Sequence, residues 1–322
     1  MIAVATTTRL SAPTVVRLVF EVEAQDPLAL PAFAGSTLRG TFGHALRRLA
    51  CMTGAPSCVG CGLLSSCHYP AVFELPAVGY EARGALPAPY AFEPPDIGAT
   101  TILPGERWRF GLRLFGDRSR HAAIVVEAMR RACGIGLTAR QARGRLERVL
   151  AQARHGLVDI YDPVTGRVEL PEAVGTVDPS PASGARIALV TPLRVQSNGK
   201  RLVPRDYSTR RLTADIVRRA RGLLEVAGSE AERAAAAAWP VDAWLQAAAE
   251  VSMHAEVSWF DWRRSSTRQG RLIDAGGWLG TLELTGPIGS DLAAVLALGA
   301  RIGVGKECVY GFGQYDIEYT GT

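Results

Sequence analysis

No run of uncharged apolar residues in this 322-residue chain is long enough to cross a bilayer, so no helical membrane span is expected. The opening residues, Met1 to Leu10, lack a charged-then-apolar pattern, so no secretory signal is expected and a cytoplasmic protein is. Lysine is almost missing: beside Lys200 and Lys306, every other basic residue is arginine. A nucleotide P-loop is missing too. The glycine-rich stretch near the C-terminus has Ala300 where that motif needs glycine, and Glu307 where it needs serine or threonine. No Ser–His–Asp or Cys–His constellation can be located, because such partners are distant along a chain.

What is present begins with that stretch, Gly303-Val304-Gly305-Lys306-Glu307-Cys308-Val309-Tyr310-Gly311-Phe312-Gly313. Four glycines at this spacing permit positive φ and close approach of another segment. Such a loop can set its amides and one lysine against a polyanion, or simply turn tightly before an edge strand. A hydrophobic share of 48% supports real cores. The net charge is +5 with pI ≈ 9.0. Arginine pairs bidentately with phosphate and stacks on bases, which favours a nucleic-acid partner; a GC-rich genome is the competing source of the bias.

Four of the six cysteines crowd one segment, as Cys51-x6-Cys58-x2-Cys61-x5-Cys67. In a reducing compartment such a cluster reads as a metal site rather than two disulfides. Four thiolates with a tight Cys58–Cys61 knuckle suit a closed, structural zinc site; an iron–sulfur cluster and four free thiols are the alternatives.

Periodicity divides the chain into two halves of the same element order. Strands are expected over 15–23 and 106–115, and helices over 35–51, with Ser36 as N-cap, and 120–132. The second half reads as strands over 185–195, 253–264 and 278–285 and helices over 209–226, 241–251 and 290–300, then a last strand from Gln314. Two βαββαβ halves make an α+β protein of tandem ferredoxin-like, RRM-like domains. The expected boundaries are 1–165, with a Cys-rich insertion at about 51–70, a turn-rich linker at 166–184, and 185–322.

Among the five histidines, His44 stands out. On the helix at 35–51, Leu38, Phe42, Ala45, Leu46 and Leu49 share one face, and His44 lies opposite, beside Arg47 and Arg48. An imidazole there can move a proton at a phosphodiester, or be a surface histidine among solvated arginines. His68 adjoins Cys67 as a spare ligand; His121 and His155 read as surface residues, and His254 as exposed or partly buried. Arg211, Arg218 and Arg221 share a helix face, either RNA-facing or solvated. The run Trp259-Phe260-Asp261-Trp262-Arg263-Arg264, continuing to Arg268 and Gln269, sets aromatics beside cations, as for single-stranded RNA, or is a strand end with buried tryptophans.

The chain resembles the CRISPR-associated endoribonucleases of the RAMP superfamily that process precursor CRISPR RNA. The likeness runs through Gly35-Ser36, Leu38-Arg39-Gly40, Phe42-Gly43-His44-Ala45-Leu46-Arg47-Arg48 and the four cysteines. It continues through Thr191-Pro192-Leu193-Arg194, Trp259 to Gln269, Gly276-Gly277, Gly280 and the glycine loop. The resemblance implies cleavage without metal, in which the 2′-hydroxyl attacks the adjacent phosphate and leaves a 2′,3′-cyclic phosphate. It places a catalytic histidine at His44, with Arg39, Arg47 or Lys306 as candidate helpers; no tyrosine is found near His44, Pro31 and Phe33 occupying the connection before its helix. RNA would be held by Arg39, Arg48, Arg264, Arg268, Gln269, Gly303, Gly305, Gly311 and Gly313. The implied partners are CRISPR repeat RNA and subunits of a CRISPR effector complex, with no membrane. The alternatives are a non-catalytic RNA-binding subunit of the same fold and an unrelated zinc-containing nucleic-acid-binding protein.

Overall fold

Strand formation in the first half follows from alternation. Trp108, Phe110, Leu112 and Leu114 are all buried while Arg107 and Arg109 are exposed, so one face of the segment seals a core. The computed structural model describes residues 10, 12–74, 86–138, 140–172, 179–197, 199–266 and 271–321. Two compact units divide the chain: Thr14–Val174 with Val309–Gly311, and Gly175–Cys308 with Phe312–Thr322 and Met1–Pro13. The division falls inside the 166–184 stretch.

In the first unit the elements are β1 (Val15–Ala24), α1 (Gly35–Ala50), the short α2 (His68–Val72), β2 (Tyr90–Glu93), β3 (Arg107–Phe115), α3 (Ala122–Ile135), β4 (Gly144–Ala153) and β5 (Gly156–Asp159). The sheet order is β2-β3-β1-β4-β5, antiparallel throughout, with Leu18 opposite Leu112 and Phe20 opposite Phe110. Without β5 this is the ferredoxin-like order. Phe20 and Phe110 stack at 5.0 Å, and Phe42 of α1 meets Tyr90 and Phe92 edge-on at 5.9 and 5.8 Å. The apolar stripe of α1 is therefore what docks it on the sheet: Leu38, Phe42, Ala45 and Leu46 are buried, and Leu49 is partly so.

Two expectations are corrected here. Ser36 does not cap α1; Ala34 takes the N-cap position and makes no side-chain cap bond, because the helix starts one residue before Ser36. The helix expected from Arg120 begins at Ala122, since Gly116–His121 first makes a 3-10 segment.

The second unit runs β6 (Ala182–Leu193), α4 (Thr209–Ala227), α5 (Glu230–Ala237), α6 (Val241–Ala249), β7 (Ser252–Phe260), β8 (Gly277–Ile288), α7 (Ser290–Ile302) and β9 (Tyr315–Thr320). Its sheet order, β7-β8-β6-β9, is again ferredoxin-like and antiparallel. The strand expected over 253–264 ends at Phe260; Arg263–Ser266 instead pairs with Arg271–Asp274 as a separate ribbon. The chain thus holds two ferredoxin-like domains in tandem, the α+β class expected.

Candidate nucleic-acid interface and active site

Helix α1 presents its polar face as its periodicity requires. His44 and Arg48 are exposed, one turn apart. Arg47, the other neighbour, is turned away: its guanidinium donates to the Ala55 carbonyl at 2.5 Å and lies 5.6 Å over the Tyr69 ring. It braces the cysteine segment.

Arg39 also has a structural task. Its guanidinium lies 4.5 Å from the centre of the Phe73 ring and 5.3 Å from that of Tyr310, held between aromatic faces. Its Nε is buried without a hydrogen-bond partner among the described residues, as is the Tyr90 hydroxyl. Burial pushes the Tyr90 phenol up, with the Arg39 charge opposing. Phe73 reaches α1 because residue 43 is glycine: a Cβ there would stand 2.2 Å from its ring. Gly35 plays the same part for the Tyr310 carbonyl, at 1.8 Å. Tyr310, the aromatic beside α1 that sequence reasoning missed, carried only one local signal, its place at the apex of the glycine loop.

The loop itself takes positive φ at Gly303, Gly305, Gly311 and Gly313, and also at Glu307. Its amides serve the fold. Val304 donates to Gly313, Lys306 to the Arg194 carbonyl and Gly313 to the Pro192 carbonyl, while Gly303 closes α7 on Gly299. Those four N–H groups are already bonded within the protein. A Cβ at Gly305 would sit 2.5 Å from the Arg194 oxygen, and one at Gly313 would sit 1.8 Å from the Val304 oxygen. The end of β6, Thr191 to Arg194, is the cradle of the loop, and Arg194 in turn donates to Gly276 at 3.0 Å. Gly311 lies against Phe92 and Pro94 of the first unit. Lys306, in the second unit, is exposed.

The aromatic–cation segment divides. Trp262 is buried, 5.1 Å from Phe312. Trp259 is half-buried, bonds Asp261 through its indole N–H at 3.0 Å, and carries the Arg201 guanidinium 3.8 Å over its ring. Arg264 stands on the Arg263–Ser266 strand; Arg268 and Gln269 lie outside the described residues. On α4, Arg211 and Arg218 both bind the buried carboxylate of Asp215, and Arg221 donates to the Ala236 carbonyl. That face is neither plain solvated surface nor an array of uncommitted cations.

The open face of the first sheet behaves likewise. Glu93 is clamped by Arg17, at 2.7 Å, and by Arg113; Glu21 takes Arg109 at 2.8 Å. A groove of about 930 Å³ lies over Arg17, Arg109 and Gly111, beside the segment from Pro94 to Thr100. Gly111 makes room for the Glu93 carboxylate, which a Cβ would approach to 2.5 Å.

His121 is buried, contrary to the surface position expected. Its Nδ1 lies 2.9 Å from that of His68, and Arg120 Nε donates to its Nε2 at 3.3 Å. An accepting Nε2 leaves the proton on Nδ1, donated to His68. Burial, with the neighbouring His68, Arg120 and Arg118, brings His121 down to about 4. The four clustered cysteines, all partly buried free thiols, line one cavity.

Comparison with known proteins adds to this geometry. Residues 12–173, half of the chain, match a family model described as an N-terminal domain (AF_1859_N), and residues 187–315 match that of the CRISPR-associated endoribonuclease Cas6. An uncharacterised protein of Archaeoglobus fulgidus is 26% identical over 138 residues, which are 43% of each chain. A chain of a partial Cas6-RT-Cas1–Cas2 complex superposes with a TM-score of 0.57 at 13% identity, over 96% of this chain and 46% of that one. Thermus thermophilus Cas6 superposes with a TM-score of 0.52 at 17% identity, over 95% and 99%. The chain therefore spans less than half of the first two of these relatives and nearly all of the third. The first domain thus matches an N-terminal-domain model and the second the Cas6 endoribonuclease model, in tandem ferredoxin-like folds like that of Thermus thermophilus Cas6.

Proposed function

We propose that this protein is an endoribonuclease that cuts CRISPR repeat RNA to give mature guide RNA. The observation that carries the reading is the exposed His44 on the polar face of α1, with exposed Arg48 one turn on, in a chain whose second domain matches the Cas6 model. The substrate supplies its own nucleophile. The ribose 2′-oxygen forms a bond to the adjacent phosphorus, and the bond from phosphorus to the 5′-oxygen breaks. The products are a 2′,3′-cyclic phosphate and a 5′-hydroxyl. His44 takes the proton from the 2′-hydroxyl or gives one to the departing 5′-oxygen. Arg48 offers the neighbouring positive charge for the phosphate as negative charge builds on its oxygens. Arg47 acts on this reading through the cysteine segment that it braces, not on the phosphate. Lys306 is assigned to contact with the RNA backbone. No divalent ion is required for any of these steps.

The test is a repeat RNA incubated in buffer with EDTA, with wild type and His44→Ala. Wild type is expected to cut, and the variant to lose cleavage by about 10²-fold or more while keeping its affinity. Wild type that binds the repeat without cutting it would assign the chain instead to RNA-binding subunits of CRISPR complexes. Equal binding of repeat and random RNA would remove the substrate proposal altogether.

A further inference from the structure

Cys51, Cys58, Cys61 and Cys67 reach one cavity from three separate pieces of chain. Cys51 is the C-cap of α1, Cys58 and Cys61 form a turn with the Cys61 amide donating to the Cys58 carbonyl at 3.2 Å, and Cys67 is the N-cap of α2. Gly60, with φ +77 and nothing near its missing Cβ, shapes that turn without being needed for packing. The cavity is about 20 Å³ and is walled by Leu63, Leu64, Tyr69 and Pro70. That is room for one water-sized body, the size of a single metal ion rather than an organic ligand.

We propose that this cavity is a structural zinc site with the four thiolates as its ligands. The sulfurs have yet to converge: among the described residues no three candidate ligand side chains already share a ligating point. Thr53 Oγ1 stands between two of them, 3.8 Å from Cys51 Sγ and 3.9 Å from Cys61 Sγ. A tetrahedral zinc, with bonds of about 2.3 Å to sulfur, takes the place of that hydroxyl and draws the sulfurs inward by rotation of short side chains. Binding releases the four thiol protons and leaves a doubly negative centre. The Arg47 guanidinium, bonded to Ala55 and lying over Tyr69 at the rim, is the nearby balancing charge.

The placement has a consequence for α1. Cys51 N–H donates to the Arg47 carbonyl, and Cys67 Sγ lies 3.8 Å from the Ala50 carbonyl, so the ligands join the last turn of the helix that carries His44. Zinc here clamps the C-terminal end of that helix. This consequence rests on the proposed function; the metal site does not.

The test is elemental analysis of the full-length protein purified in reducing buffer, followed by removal of metal with a strong chelator and titration with zinc chloride alone. About one zinc per chain is expected, with four thiols protected from alkylation by zinc and released by the chelator. A rise in melting temperature on adding zinc is expected as well. The double variant Cys58→Ser, Cys61→Ser should retain less than about a tenth of the metal. If that variant fails to fold, alkylation of the wild-type protein with and without zinc decides alone. Protein without zinc affinity, iron with visible absorption, or disulfides among these four cysteines each overturn the site. Because cleavage by the metal-free protein is scored separately, loss of the zinc proposal leaves the His44 reading standing.

Discussion

At the scale of single residues, environment decides what the charged groups do. His44 has the imidazole, the exposure and the cationic neighbour that proton transfer needs, whereas His121 is a buried neutral base. The pH dependence of stability follows from the latter. The folded protein holds His121 at about 4, below its ordinary 6.5, so the unfolded chain takes up that proton first as pH falls. This contribution is complete above 6.5 and is lost progressively toward 4. Melting temperature measured from pH 7 to pH 4.5 is expected to fall more steeply for wild type than for His121→Asn; parallel curves would contradict the assignment. Asp215 is the acidic counterpart, a buried carboxylate shared by Arg211 and Arg218. Asp215→Ala leaves Arg211 only the Gln196 carbonyl and returns the exposed Arg218 to solvent, and a loss of about 2 kcal/mol is expected in denaturant unfolding.

Elements show where local pattern suffices. The glycine loop holds its shape through four positive-φ glycines, but they are not equivalent. At Gly313 an added methyl meets the Val304 carbonyl, while at Gly303 the nearest atom is 3.5 Å away. Gly303, at φ 75 and ψ 166, holds backbone that is essentially glycine's alone, so Gly303→Ala should cost about 1–3 kcal/mol, and Gly313→Ala clearly more, measured by urea unfolding. Helix α1 was legible to within a residue because an apolar stripe of period 3.6 is a local property. Strand β2 was not: all four residues of Tyr90–Glu93 are buried, so the segment has no alternation to read. The Trp259 run was half legible, since its composition is local but the burial of Trp262 under Phe312 is not.

For the molecule as a whole, a net charge of +5 carried almost entirely by arginine predicts RNA binding governed by phosphate contacts. Six such contacts to single-stranded RNA would lower affinity by a few hundredfold between 50 and 200 mM salt. Filter binding across that range checks it, and Lys306→Ala should flatten the slope by less than one contact's worth while weakening all sequences alike. Many arginines are excluded from that count, being committed to Glu21, Glu93, Asp215 and backbone carbonyls.

From the residues alone came the tandem α+β architecture, the cysteine cluster, the glycine loop and His44, because each is carried by spacing within a short stretch. The tertiary structure alone decided which cations are free. Arg39 is held between Phe73 and Tyr310, Arg47 by Ala55 and Tyr69, and Arg113 by Glu93. A guanidinium binds whichever carboxylate, carbonyl or ring the fold brings within reach, and those partners lie far along the chain.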